Sequence, residues 1–228
     1  MLSYTETLPP ANLAPFVRCI WHLQGEHDGA AERILPDGSF ELITHHGSPM
    51  TSRGVLQPQS MLMGEIRRPV VVRPSGSIDV SGLRFRAGGA SAFFRMPMTE
   101  LRDRILDVSD FGTIDLTPQP HRHWLLVRAA IHEIRKFSGD LRIRELARRV
   151  GVTDRTLERA FRDVVGMSAK RYARIVRFHR AWRSEEGLAY YDQSHKIHEF
   201  RELAGVTPTE FWRERNAIND AFVGNLQS

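Results

Sequence analysis

The chain has 228 residues, 41% apolar and 26% charged, ordinary values for a folded protein with a sizeable core; they exclude wholesale disorder, collagen-like repeats and a coiled coil. Its single cysteine, Cys19, excludes an internal disulfide framework and a cysteine-based zinc site. The net charge of +5 is unevenly spread: residues 142–183 hold 13 basic and 4 acidic side chains (+9), residues 1–141 balance to zero, and residues 184–228 carry −4. A dense positive block on an otherwise neutral chain is what a polyanion-binding surface looks like. The opening residues show no basic start followed by an apolar core, and no run approaches the roughly 18 apolar residues of a membrane span. A cytoplasmic protein with no membrane partner is expected.

Residues 1–90 read as short strands separated by turns. Phe40–Thr44, Val70–Arg73 and Ser77–Phe85 are β-branched or alternating and bounded by Gly, Pro, Asp and Ser. Asp37–Gly38, between Leu35 and Phe40, is a turn signal. Ile78, Val80, Leu83 and Phe85 change parity across Ser81–Gly82, which predicts a bulge there. From Gly89 the pattern turns helical, with Thr99 as N-cap of the segment MTELRDRIL. A Pro-containing connector spans 111–121, and residues 124–137 form a helix ended by Ser138–Gly139. A domain boundary is placed at 139. Many short strands followed by helices predict a two-domain α+β chain, its β-rich half a sandwich or barrel.

Residues 140–183 carry the sharpest signal. Asp140 is positioned to cap a helix RIRELARRV that Gly151 terminates; Thr153 caps a second, DRTLERAFRDVV, ended by Gly166. Two helices joined by a short Gly-containing turn form a helix-turn-helix. Ala147 is small enough for close helix packing, Gly151 supplies the left-handed turn residue, and Leu157 buries against the first helix. Ile143, Leu146, Val150, Ala160 and Phe161 complete the inner faces. Asp154, Arg155, Glu158, Arg159 and Arg162 are left on the outer face of the second helix.

These residues, RELARRVGVTDRTLERAFRDVVGMSAKRYARIVRFHRAW followed by YYDQSHKIHEFRELAGVTPTEFW, resemble the AraC/XylS family of transcriptional regulators. The resemblance implies two helix-turn-helix units joined by a long helix, each placing a recognition helix in a major-groove segment of double-stranded DNA. It assigns residues 140–228 to DNA binding and residues 1–139, similar to the uncharacterised β-rich half of some family members, to a cupin-like sensory barrel. A homodimer is compatible with it. One departure stands out. Only residues 182–189 separate Ala181 from Tyr190, where the family has a longer segment, and Lys196 stands where the family buries an apolar side chain. The second unit is therefore expected to lack its first helix or keep a remnant around Gly187–Ala189.

By the same resemblance Arg155, Glu158 and Arg159 face base edges in the first unit, and Gln193, Ser194 and His195, with His198, in the second. Arginine can grip guanine O6 and N7 with two hydrogen bonds, and glutamate can accept from cytosine N4. Thr153, Arg162, Lys170 and Arg171 are placed for phosphates. A barrel of this kind often holds one small ligand. Trp21, His22, Arg33, Glu41, Arg84 and Arg86 could line an effector pocket, or Glu41 could pair with Arg84 or Arg86 as a structural ion pair. No metal and no cofactor are expected: His45 and His46 are adjacent and face opposite ways on a strand, and His121 and His123 lack a third ligand at a useful interval. Glycine-rich phosphate loops, nucleophile elbows and Cys/His pairs are missing from the sequence, so no enzyme is expected. The competing class is a metal-dependent cupin-type enzyme with a fused helical tail.

Overall fold

The structure, a computed structural model, describes residues 2–183 and 194–213. Its strands are β1 (Ser3–Thr7), β2 (Val17–Glu26), β3 (Glu32–Ile34), β4 (Glu41–His45), β5 (Thr51–Ser52), β6 (Val55–Leu56), β7 (Ser60–Met63), β8 (Val70–Arg73), β9 (Ser77–Phe85) and β10 (Ile105–Asp107). The helices are α1 (Trp124–Lys136), α2 (Ile143–Arg149), α3 (Asp154–Val165), α4 (Ala169–Arg183), α5 (Ser194–Ala204) and α6 (Pro208–Arg213). This is a two-domain α+β chain, β-rich in its N-terminal half and helical in its C-terminal half.

The strands form two antiparallel sheets, one of six strands in the order β1-β2-β9-β4-β7-β10 and one of four in the order β3-β8-β5-β6. The sheets do not close into the expected barrel: each ladder ends on an edge strand, and among the described residues no pairing joins one sheet to the other. Side chains from the two sheets, including Trp21, Leu23, Ile43, Met61, Val72 and Val80, pack together in one buried cluster. The turn at Asp37–Gly38 forms as its residues dictate: Asp37 Oδ1 accepts a hydrogen bond from Ser39 N at 2.8 Å.

The expected bulge at Ser81–Gly82 is absent. β9 pairs with β4 in unbroken register from Val80 to Arg84, and its inward row runs Ile78, Val80, Gly82, Arg84 without a change of parity. The sequence misleads because two inward positions are not apolar. The inward position 82 is glycine because a Cβ there would overlap the indole of Trp21, and the inward Arg84 is met by Glu41. The outward Leu83 is itself half-buried, against a second cluster that contains Val17, Phe40, Leu62 and Phe85. The irregularity falls instead on β2, between Val17 and Cys19.

The helix expected from Thr99 also gives way. Met98–Glu100 is a single 3-10 turn preceded by Pro97, Asp103 takes a φ of +58°, and Ile105–Asp107 pairs with β7. Strand pairing along the sheet edge outweighs a short local helical pattern. Helix α1 forms as read: Val127, Ala130, Ile131 and Ile134, at helical spacing, are its buried stripe.

The two halves share a core. Phe16, Leu35, Ala87 and Ala92 of the N-terminal half pack with Trp124, Leu157, Phe161, Val164, Tyr172 and Ile175 of the helices. The Phe16 and Trp124 rings lie 5.0 Å apart. At this seam Arg102 Nη1 donates to the Gly166 carbonyl at 3.4 Å, and Arg135 Nε donates to Tyr172 Oη at 3.1 Å.

Candidate nucleic-acid interface

Helices α2 and α3 make a helix-turn-helix. The first helix starts at Ile143 with Arg142 at its N-cap and no side-chain cap bond, so Asp140 does not cap it. Ala147 and Leu157 are buried against each other's helices. Between them Gly151 takes a φ of +73°, with open space around the position of a Cβ. Backbone conformation, not crowding, therefore demands glycine there. Thr153 caps α3: its Oγ1 accepts from Thr156 N at 3.2 Å. Such a cap is worth about 0.5–2 kcal/mol. Leu157, Ala160, Phe161, Val164 and Val165 bury the inner face of α3.

Arg155 and Arg159, one turn apart, are exposed and make no ion pair among the described residues. Glu158 and Arg162 are joined to each other, Arg162 Nε to Glu158 Oε1 at 3.0 Å, so one expected base contact and one expected phosphate contact share a surface ion pair. Exposed pairs of this kind are worth less than about 1 kcal/mol and can be exchanged for DNA. Lys170 is exposed at the start of α4. Arg171 is turned inward: its Nη2 donates to the Arg67 carbonyl at 2.5 Å, and its guanidinium approaches Glu202 at 3.6 Å and Glu65 at 3.9 Å.

The basic block is thus divided. Arg149 pairs with Glu145 and Glu133, and Arg174 and Arg177 pair with Glu199 and Glu202. Glu199 and Glu202 of the tail are structural counter-charges for α4. Among the described residues Arg142, Arg144, Arg148, Arg155, Arg159, Lys170 and Arg180 are exposed without an ion pair, and these form the available positive surface.

In the second unit, α5 lies on α4 through Phe200, whose ring meets Phe178 at 5.1 Å and Phe211 at 5.5 Å. After α5, Gly205 leads to a reciprocal cap: Glu210 N donates to Thr207 Oγ1 at 3.2 Å and Thr207 N donates to Glu210 Oε2 at 2.8 Å, with Pro208 opening α6. The Gly-Val-Thr-Pro-x-Glu segment is therefore a helix stop followed by a helix start. His198 is exposed on α5. Gln193, the side chains of Ser194, His195 and Lys196, and the short bridge 184–189 lie outside the described residues.

A cavity of about 100 Å³ sits between the two sheets. Of the six residues expected at an effector pocket, Trp21, Glu41 and Arg84 line it. His22 instead contacts Asp79 at 2.7 Å on the surface, Arg86 Nε donates to the Ala14 carbonyl at 2.9 Å, and Arg33 lies beside Gly205 of the second unit. Glu41 and Arg84 are cross-strand neighbours joined by a buried ion pair, so the ion-pair reading holds for them, and the pair also lines the cavity. Burial pushes the Glu41 carboxyl above its ordinary range and the guanidinium opposes that push. The sequence reading missed Asp37, His45, Gln57 and His179, which also line the cavity. His45 was accessible to it, since it shares the inward face of β4 with Glu41 and Ile43. His179 carried no signal, because it comes from α4. Among the described residues no three His, Cys, Asp or Glu side chains converge as a metal site, and no helix is long and apolar enough to cross a membrane.

Residues 5–107 match a family described as a domain of unknown function (DUF6597), and residues 146–215 match a family described as a helix-turn-helix domain. No curated protein and no solved structure matches the chain. The matched segments coincide with the β-rich half and with the stretch from α2 through α6, so the chain joins an N-terminal domain of unknown function to a DNA-binding helix-turn-helix domain of the AraC type.

Proposed function

We propose that the protein is a sequence-specific, double-stranded-DNA-binding transcription regulator, cytoplasmic and without catalytic activity, whose N-terminal domain binds a small-molecule effector. One observation carries the DNA-binding half: Arg155 and Arg159 stand exposed on the outer face of α3, just beyond the Thr153 cap. A recognition helix reads bases with its N-terminal residues. Arg155 and Arg159 are the base-reading residues, with Glu158 joining them when its bond to Arg162 is exchanged. Thr153, Lys170 and a released Arg162 hold the phosphates. Gln193, Ser194 and His195 are the corresponding positions of the second unit and would act in the same way only where that unit reaches the DNA.

The test is a gel shift against the DNA upstream of the protein's own coding region at moderate salt. A discrete complex that survives excess random duplex supports the reading. Equal binding to cognate and random duplexes overturns it.

A further inference from the structure

The cavity between the sheets has a chemistry and a wall that its place in the fold does not require. Its sides are apolar, from Ile43, Met61, Val72 and Val80. Across the paired strands β4 and β9 it holds polar groups: Glu41 paired with Arg84, and His45, whose Nε2 donates to Gln57 Oε1 at 3.2 Å. The Glu41 and Arg84 charges cancel, and burial holds His45 below the ordinary imidazole range, which keeps it neutral. A carboxylate entering here would face Glu41 and the Asp37 side chain at the rim. A cation would have to displace Arg84 from Glu41. A carboxylate would be buried without a counterpart of its own, and a cation would otherwise be matched only at the half-buried Asp37, away from the closed Glu41–Arg84 pair, so both are disfavoured against a neutral molecule. Size is the second constraint: a dry apolar cavity of about 150 Å³ admits benzene, and the methionines lining this one can yield slightly.

The wall is the more consequential feature. His179 belongs to α4, the helix that runs from the α2–α3 unit to α5, yet it lines this cavity. Its Nε2 donates to the Pro36 carbonyl at 2.7 Å, in the same loop that supplies Leu35, Asp37 and Ser39 to the lining. A molecule in the cavity therefore touches the DNA-binding helix and the loop that tethers it.

We propose that the cavity takes an uncharged, single-ring organic molecule bearing a hydroxyl-type group, and that α4 reads its occupancy through His179. The hydroxyl both donates and accepts, as the Glu41–Arg84 and His45–Gln57 groups require, while the ring fills the apolar end. The first half rests on the effector-binding part of the function proposed above, and the second on its DNA-binding part as well. Linkage makes the effect reciprocal, so DNA changes the affinity for the molecule by the same factor that the molecule changes affinity for DNA.

The full-length protein is melted with benzyl alcohol and phenol, and separately with benzoate and benzylammonium. Affinity for a cognate duplex is measured with and without benzyl alcohol. The neutral probes are expected to raise the melting temperature and the charged ones to leave it unchanged. Met61→Phe, which fills the cavity, weakens probe binding about tenfold or more, and Met50→Ala, which enlarges it, shifts preference toward 2-naphthol. His179→Ala brings the probe-induced change in DNA affinity down toward one, and His179→Gln, which keeps a donor for the Pro36 carbonyl, restores it. Stabilisation by benzoate or benzylammonium equal to that by benzyl alcohol overturns the assigned chemistry, as does probe binding untouched in both cavity variants. Undiminished coupling in His179→Ala overturns the role of α4. A protein that binds no duplex defeats the regulator reading, while the melting arm still decides what the cavity accepts.

Discussion

Glu65 Oε1 and Arg171 Nε face each other at 3.9 Å across the seam between the N-terminal half and α4, an ion-pair distance too long for a hydrogen bond. Glu65 is fully buried, and neither its carboxylate oxygens nor Arg171 Nε finds a hydrogen-bond partner among the described residues. Burial pushes the Glu65 carboxyl from 4.5 up to about 8, against the downward pull of Arg171. Between those two values the folded protein holds a proton that the unfolded chain has released. The stability this provides is complete below pH 4.5 and is lost as pH rises to about 8. Glu65→Gln removes the titration. Denaturation curves from pH 5 to 9 should show wild type losing stability relative to Glu65→Gln, by up to about 5 kcal/mol at about 1.4 kcal/mol per pKa unit. Parallel curves would show that Glu65 is ionised throughout.

On the DNA side, the split between free and engaged arginines separates two kinds of variant. Arg155→Ala and Arg159→Ala should relax base preference at individual operator positions, each by about 1–3 kcal/mol. Lys170→Ala should weaken binding to every sequence alike and lower the salt slope by about one. Arg171→Ala should leave that slope unchanged, because its guanidinium is held by the Arg67 carbonyl, Glu202 and Glu65. Affinity measured over a salt series on a set of single-base operator variants checks all four. Unaltered base preference in Arg155→Ala would mean that α3 docks on DNA by another face.

Two glycines distinguish conformation from crowding. Gly151→Ala meets open space but must hold a φ of +73°, so it should cost about 1–2 kcal/mol. At Gly82 a methyl group would enter the Trp21 indole inside the sheet. The cost there is overpacking, about 1–3 kcal/mol or more, and it falls on the domain that holds the cavity. Urea unfolding with unchanged m-values should rank Gly82→Ala as the more damaging. The reverse order would mean that the indole can move aside.

The helix-turn-helix was legible because its determinants are local. A small residue, a positive-φ glycine, a hydroxyl cap and an apolar stripe lie within twenty residues of one another. The β-rich half was legible only as strands. Its sheet order depends on which inward residues meet across the sandwich, and Gly82 and Arg84 break the apolar alternation that sequence reading follows, because Trp21 and Glu41, far away in the chain, complete them. The cavity was half visible: Glu41 and Arg84 could be suspected, but His179 reaches it from α4, more than a hundred residues beyond β4 in the chain. The charge block gave the right segment and an inflated surface, since Glu199 and Glu202 neutralise Arg174 and Arg177 only once α5 has docked.

The docking of α5 sets the expected footprint. Arg174 holds Glu202 at 2.6 Å and Glu199 at 3.0 Å, and Arg177 holds Glu199 at 3.2 Å. With Phe200 buried between Phe178 and Phe211, α5 is fixed on α4. Its orientation, however, brings the exposed His198 to a cleft shared with Arg67 and Arg104 of the N-terminal half. At the end of α5, a Cβ on Gly205 would stand 2.9 Å from Pro69. The N-terminal half thus borders the second unit, whereas the outer face of α3 is clear. We expect nuclease protection over one major-groove segment, with Arg201→Ala on the exposed side of α5 leaving the salt slope unchanged. Two protected segments about one helical turn apart, the spacing of paired readers, would show that the second unit reaches DNA in spite of Pro69 and the cleft beside His198.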